Sequence, residues 1–252
     1  MTPDLSKGRR FLATQGAPGG LVVGVTGAHY YGFPSPDSDL DLKGIHVAPT
    51  HEVVALNPPP DSVDFLGIFE GLEIDYTSHE LAFALRLLLK GNGNILERIL
   101  SPLQLLESDE VTELQALGRT AASKKFFHHY RGFFGRMCQD WRKADTKTVK
   151  GLLYAYRSAL TGIHLLRTGE CVGDVIRLAP IYDFDRVPEL VARKIRGPEH
   201  GELVTTAEFD ADLERLESLL EDAHRASPLP AETSSAEALN QFLIRMRRQY
   251  FA

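Results

Sequence analysis

Two aspartates, Asp39 and Asp41, stand two residues apart in the run Ser38-Asp39-Leu40-Asp41-Leu42-Lys43-Gly44. About a dozen residues earlier lies a small-residue stretch, Gly24-Val25-Thr26-Gly27-Ala28-His29-Tyr30-Tyr31-Gly32. Side chains two apart on a strand face the same way. Both carboxylates therefore project to one side, while Leu40 and Leu42 enter the core. Two like charges so close repel unless a cation neutralises them. Hard oxygen donors select a divalent ion such as Mg2+ or Mn2+, and backbone N–H groups of a glycine turn suit phosphate. Together these parts predict metal-assisted chemistry on a nucleotide. A third carboxylate, Asp75 in Leu72-Glu73-Ile74-Asp75-Tyr76, joins the pair if its strand is a neighbour. Three carboxylates can hold two divalent ions about 3.5–4 Å apart, the spacing of in-line phosphoryl displacement. Asp75 could also take the proton of the attacking hydroxyl.

Those residues need strands and a turn to hold them. Leu21 to Val25 reads as a short buried strand, Tyr31 to Ser38 as loop, and Leu40 to Val47 as a second strand. Val63 to Ile68 and Leu72 to Tyr76 read as two more. Thr77-Ser78-His79-Glu80 has the form of a capping box, predicting a helix from there through Lys90 that Gly91-Asn92-Gly93-Asn94 closes. Beyond it the signals are helical: aromatics at helical spacing over Ser123–Trp141, and an amphipathic run over Thr146–Arg167 that Gly169 ends. Further on come a leucine stripe over Leu213–Ala226 and a final helix over Ala236–Phe251. Ser227 to Ser235 reads as an exposed connection. The expectation is an α+β protein, with a small mixed sheet in residues 1–110 and an all-helical domain in residues 111–252. The active site is expected between them.

The chain has 252 residues, a hydrophobic fraction of 43% and a formal net charge of −6, so no global basic field announces nucleic acid. Two cysteines, Cys138 and Cys171, lack a CxxC pattern, which fits a reducing compartment. Met1 to Arg10 is polar, without the apolar core of a signal peptide. No apolar run is long enough to span a bilayer. The expectation is a cytoplasmic protein with no membrane partner.

Gly27-Ala28, then Asp39-Leu40-Asp41, then Ile74-Asp75-Tyr76 resembles the signature of the DNA polymerase β-like nucleotidyltransferase superfamily. The longer string from Thr26 to Gly44 is similar to a narrower branch, the predicted nucleotidyltransferases of the YcgL/RlaP type, some associated with RNA repair. Gly93 to Pro102 is similar to that branch as well, as is Lys150, Tyr154 and Arg157 in a Lys-x-x-x-Tyr-x-x-Arg arrangement. The resemblance implies transfer of a nucleoside monophosphate from an NTP to an acceptor hydroxyl, with Asp39, Asp41 and Asp75 as catalytic and metal-holding residues. It implies nucleotide contacts from Gly27, Ala28 and His29, and from Lys150, Tyr154 and Arg157 on one helical face. By analogy with the branch, the acceptor is an RNA 3′ end. A small molecule, a protein side chain receiving AMP, or no acceptor at all in a nucleotide-binding protein are the alternatives. Ala28 departs from the family, which has serine after the first glycine. The backbone N–H groups survive that change, but a hydroxyl worth roughly 0.5–1.5 kcal/mol as a hydrogen bond is missing.

Rival readings are weaker. Asp37, Asp39 and Asp41 are spaced like the first ligands of an EF-hand, but the glycine falls at Gly44 and Ala48 stands where the bidentate Glu is required. Gly16, Gly19, Gly20 and Gly24 precede the apolar strand instead of following it, against a dinucleotide fingerprint. His128-His129 has no partner at zinc spacing. Lys43 either balances charge on the Asp39/Asp41 face or is an ordinary surface lysine. The basic and aromatic residues from Lys124 to Arg157 suit stacking and phosphate contact, or else the aromatics are core.

Overall fold

A computed structural model describes residues 3–36, 38–196 and 207–251. In chain order the elements are α1 (Leu5–Gln15), β1 (Gly20–Val25), α2 (Gly27–Tyr31), β2 (Leu40–His46), α3 (Thr50–Val53), β3 (Ser62–Phe69), β4 (Leu72–Glu80), α4 (Leu81–Leu89), α5 (Gly93–Leu100), α6 (Asp109–Thr120), α7 (Phe126–Lys143), α8 (Val149–Thr168), α9 (Val175–Leu178) with a following 3-10 turn (Ala179–Tyr182), α10 (Val187–Arg196), α11 (Ala207–Arg225) and α12 (Ala236–Gln249). The protein is thus α+β. Two compact units partition these elements. One takes the chain up to Gly27, Asp39–Ala121 and the segment from Thr233 on; the other takes Ala28–Ser38 and Ala122–Glu232.

The first unit holds a four-stranded mixed sheet in the order β1-β2-β4-β3. β1 and β2 are antiparallel, β2 and β4 parallel, β3 and β4 antiparallel. The β3–β4 hairpin closes on Glu70 (φ 47°) and Gly71 (φ 76°), the left-handed pair whose twist matches that of the strands. Alternation then sorts the side chains. Leu40, Leu42, Ile74 and Tyr76 are buried on one face together with Phe11 of α1 and Leu105. Phe11 meets Phe65, Phe69 and Tyr76 ring to ring, at centroid distances of 4.9, 5.6 and 5.5 Å. On the other face α5 and the residues after it cover only part of the sheet. A Cβ on Gly24 would lie 2.8 Å from Ser101 Cβ, so Gly24 lets that segment sit against β1.

Two element boundaries depart from the sequence reading. Thr77 to Glu80 do not form a capping box. They extend β4, pairing Thr77 with Lys43, Ser78 with Gly44, Ile45 with His79 and His46 with Glu80. Pairing along a parallel neighbour outweighs the local cap preference, and Ser78 is spent on a 2.9 Å hydrogen bond to His46 Nδ1. Glu80 caps α4 instead, accepting from the Ala82 N–H at 2.8 Å. Tyr31 belongs to α2, not to the loop that follows. The connection after α11 is exposed for most of its length, but Ser227 is buried and donates to the Leu166 carbonyl at 2.6 Å.

The second unit is helical. α8 is its centre: Leu152, Ala155, Ala159, Leu160 and Ile163 are fully buried. Its sequence is capped at both ends, by Thr148 and by Gly169 at φ 80°. Gly162 lets α7 approach closely, since a Cβ there would fall 2.6 Å from Tyr130 Cβ. Leu213, Leu216 and Leu220 of α11 complete the core. Among the described residues no helix is long and apolar enough to cross a membrane.

Candidate functional site

Register, not sequence spacing, joins the carboxylates. Asp41 of β2 is the direct partner of Asp75 on β4, so their Cβ atoms leave the same face of adjacent strands, which lie about 4.8 Å apart. Both are half-buried, and Asp39, just ahead of β2, is exposed. Gly27 sits against Asp41. It has φ 61°, and a Cβ built on it would be 1.7 Å from Asp41 Oδ2. The Thr26 N–H donates to the Asp41 carbonyl at 2.9 Å. The turn after β1 is therefore fastened to the Asp41 backbone, and Gly27 leaves room for the Asp41 carboxylate beside it.

Lys43, two residues along the same face, places Nζ 2.7 Å from Asp75 Oδ1. Among the described residues no group of three or more His, Cys, Asp or Glu side chains is arranged to hold a metal ion. The structure brings Asp41 and Asp75 together, commits one Asp75 oxygen to Lys43, and leaves Asp39 outside the strand. In donor chemistry the set fits a hard divalent cation: carboxylate oxygens only, one of them held in a cradle that a Cβ would fill.

The covered end of the same face is built from α5. Arg98, 5% exposed, donates through Nη1 to the Gly44 carbonyl at 2.6 Å. Burial pulls its guanidinium down to about 10, still charged at neutral pH. Ser101 Oγ donates to the Val25 carbonyl at 2.9 Å. These groups satisfy carbonyls of β1 and β2 beside the carboxylate strands. Sequence reasoning assigned Arg98 no role; its one signal was its place in the Gly93–Pro102 stretch.

Other residues predicted for the site lie in the helical unit. Ala28 is buried in the apolar core there with Phe33, so its methyl serves packing. His29 is half-buried on α2. Arg157, 2% exposed, lies 3.7 Å over the Tyr31 ring. Tyr154 stands edge-on to Tyr31 and Phe33 at 5.9 and 5.5 Å. Tyr154 and Arg157 are thus brought to the segment that follows Gly27 in the chain, while Lys150 is half-buried one turn earlier on α8. Lys194 was missed: it is 4% exposed and donates to Ser35 Oγ at 2.8 Å. The aromatics of α7 offered for stacking are core, with Phe126, Phe127, Tyr130 and Phe134 buried. Arg131 pairs with Glu221 of α11 at 2.6 Å, and Arg142 faces Asp210 at 3.6 Å. Those two cations brace a helix–helix seam.

A small mixed sheet with carboxylates in register on adjacent parallel strands, beside Gly27, agrees with the resemblance to the DNA polymerase β-like nucleotidyltransferase class, and the family match shows that membership. The model of the RlaP family, the RNA repair pathway DNA polymerase beta family, matches residues 21–245, and the chain belongs to this family. It is 29% identical over 228 residues to the uncharacterized protein MJ0002 of Methanocaldococcus jannaschii, covering 88% of this chain and 93% of that one. It is 25% identical over 222 residues to the uncharacterized protein YcgL of Bacillus subtilis, covering 86% and 74%. The crystal structure of a nucleotidyltransferase-like protein from Exiguobacterium sibiricum covers 98% of this chain and 78% of its own at 12% identity. The TM-score is 0.35.

Proposed function

We propose that this protein is a metal-dependent nucleotidyltransferase that moves a nucleoside monophosphate from an NTP to an acceptor hydroxyl and releases pyrophosphate. The observation that supports it is Asp41, in register with Asp75 and packed on the bare Cα of Gly27. Asp39 and Asp41 would hold Mg2+ or Mn2+, with Asp75 completing the set. When bound, such an ion neutralises phosphate charge and lowers the barrier to displacement at phosphorus. Asp75 stands ready to take the proton of the acceptor hydroxyl once Lys43 yields it. The backbone N–H groups at Gly27 and Ala28 are the proposed phosphate contacts, with His29, Lys150, Tyr154 and Arg157 as further nucleotide contacts. The catalytic role falls to residues 1–110 and a supporting role to residues 111–252.

The proposed acceptor is an RNA 3′ end, on the strength of the family description alone. Incubation with NTPs labelled at the α- or γ-phosphate, with Mg2+ or Mn2+, tests both reaction and acceptor. The proposal expects α-label on RNA and γ-label in pyrophosphate. Label on an aminoglycoside or a protein instead would reassign the acceptor. No transfer to any of them, with NTP bound, would favour a non-catalytic nucleotide-binding protein.

A further inference from the structure

Lys43 is the only Lys or Arg in the four strands of the sheet. Its face of β2, β3 and β4 also carries Asp41, Asp64, Glu73 and Asp75, with Asp39 just ahead of β2. The Lys43 side chain is 22% exposed and that of Asp75 40%, with Nζ 2.7 Å from Oδ1. Strand geometry leaves it little choice: Asp75 is the register partner of Asp41, so it lies diagonally from Lys43 within reach of a four-carbon stem. On the other side Lys43 is paired with Gly24, which offers no side chain. The lone pairs that this ammonium occupies belong to an oxygen of the carboxylate proposed to complete the metal site.

We propose that Lys43 is the built-in counter-cation of the carboxylate strands and competes with a divalent ion for Asp75. This rests on the metal-dependent reading of the site and goes beyond it. Two cations on one carboxylate repel each other, so metal binding at Asp75 and the Lys43 contact weaken each other. Lys43 therefore weakens the intrinsic affinity for the ion while it steadies the carboxylates without one. It acts through Asp75 and is a positioning residue.

The test uses the full chain with Lys43→Met, Lys43→Arg, Asp75→Asn and the Lys43→Met/Asp75→Asn double variant. Mn2+ binding is read by the paramagnetic resonance signal of the free ion, and unfolding by thermal melts with and without Mn2+. Lys43→Met should bind Mn2+ about two- to fivefold more tightly than the wild type, the range of a part-exposed ion pair. It should melt at a lower temperature without metal and gain more from Mn2+, while Lys43→Arg stays close to wild type. In the Asp75→Asn background, Lys43→Met should leave Mn2+ affinity unchanged. Lys43→Gln gives the same reading if the Met variant does not fold. Equal or weaker Mn2+ binding by Lys43→Met overturns the inference alone. A gain of the same size in the Asp75→Asn background also overturns it, because Lys43 would then act only through general charge. Failure of wild type and every variant to bind Mn2+ overturns the metal-dependent reading along with it.

Discussion

At Gly27 a backbone requirement and a site requirement coincide. A side chain there would both hold an L-residue at φ 61° and collide with Asp41 Oδ2. The backbone strain alone costs about 1–3 kcal/mol, and the collision forces the carboxylate off its position. Gly27→Ala should therefore lower stability in urea unfolding by at least that amount and remove Mn2+ binding. Wild-type values for both would show that the cradle is not needed. Alternation placed Asp41 on the polar face of its strand, because a two-residue period fixes the side of a strand, but Asp39 lies just ahead of β2 and only the register brings Asp75 beside Asp41. The partner of Lys43 was not legible either, since the β2–β4 register is set by contacts more than 30 residues apart in the chain. Arg98 and Lys194 were hidden for a related reason. Nothing local marks a long cationic side chain as buried, and both are, with hydrogen bonds to Gly44 and Ser35 that folding alone brings within reach.

Elements were legible where their signals were local. The two strands on either side of Glu70–Gly71 and the stop at Gly169 follow from nearby residues. The end of β4 did not, because a parallel neighbour prolonged a strand that its own residues would have stopped. Nor does local sequence show what α12 does. Arg247 Nη2 lies 2.6 Å from Glu80 Oε1, with side chains 14% and 7% exposed, and Nη1 donates to the Ala48 carbonyl at 3.1 Å. Thr50 Oγ1 donates in turn to the Arg247 carbonyl at 2.6 Å. The last helix is thereby clamped to the end of β4 within the sheet unit. Removing one partner of a buried pair leaves an uncompensated charge, at a cost of about 3–5 kcal/mol. Arg247→Met should lower the free energy of unfolding by that order, and Glu80→Gln in the same chain should restore part of it. A change below about 1 kcal/mol for Arg247→Met in urea unfolding would mean the clamp is solvated and weak.

For the whole molecule, pH couples to folding in both units. Burial drives His79 in the sheet unit down to about 4, and burial with Arg157 nearby does the same to His129 in the helical unit. An unfolded chain takes up these protons near pH 6.5. Between about 6.5 and 4 the unfolded state thus binds protons that the folded state refuses. Stability is then complete above pH 6.5 and falls as the pH drops toward 4. Denaturation midpoints measured from pH 7 to 4.5 should show that fall, and His79→Gln should flatten it in part; a midpoint that rises on acidification would contradict the assignment. The central claim remains the carboxylate site, and its most direct measurement is label transfer from an α-labelled NTP by wild type and by Asp39→Ala/Asp41→Ala, with both chains shown to be folded. The site described here predicts transfer that needs Mg2+ or Mn2+ in the wild type and none in the variant. Equal transfer by the two chains would contradict it.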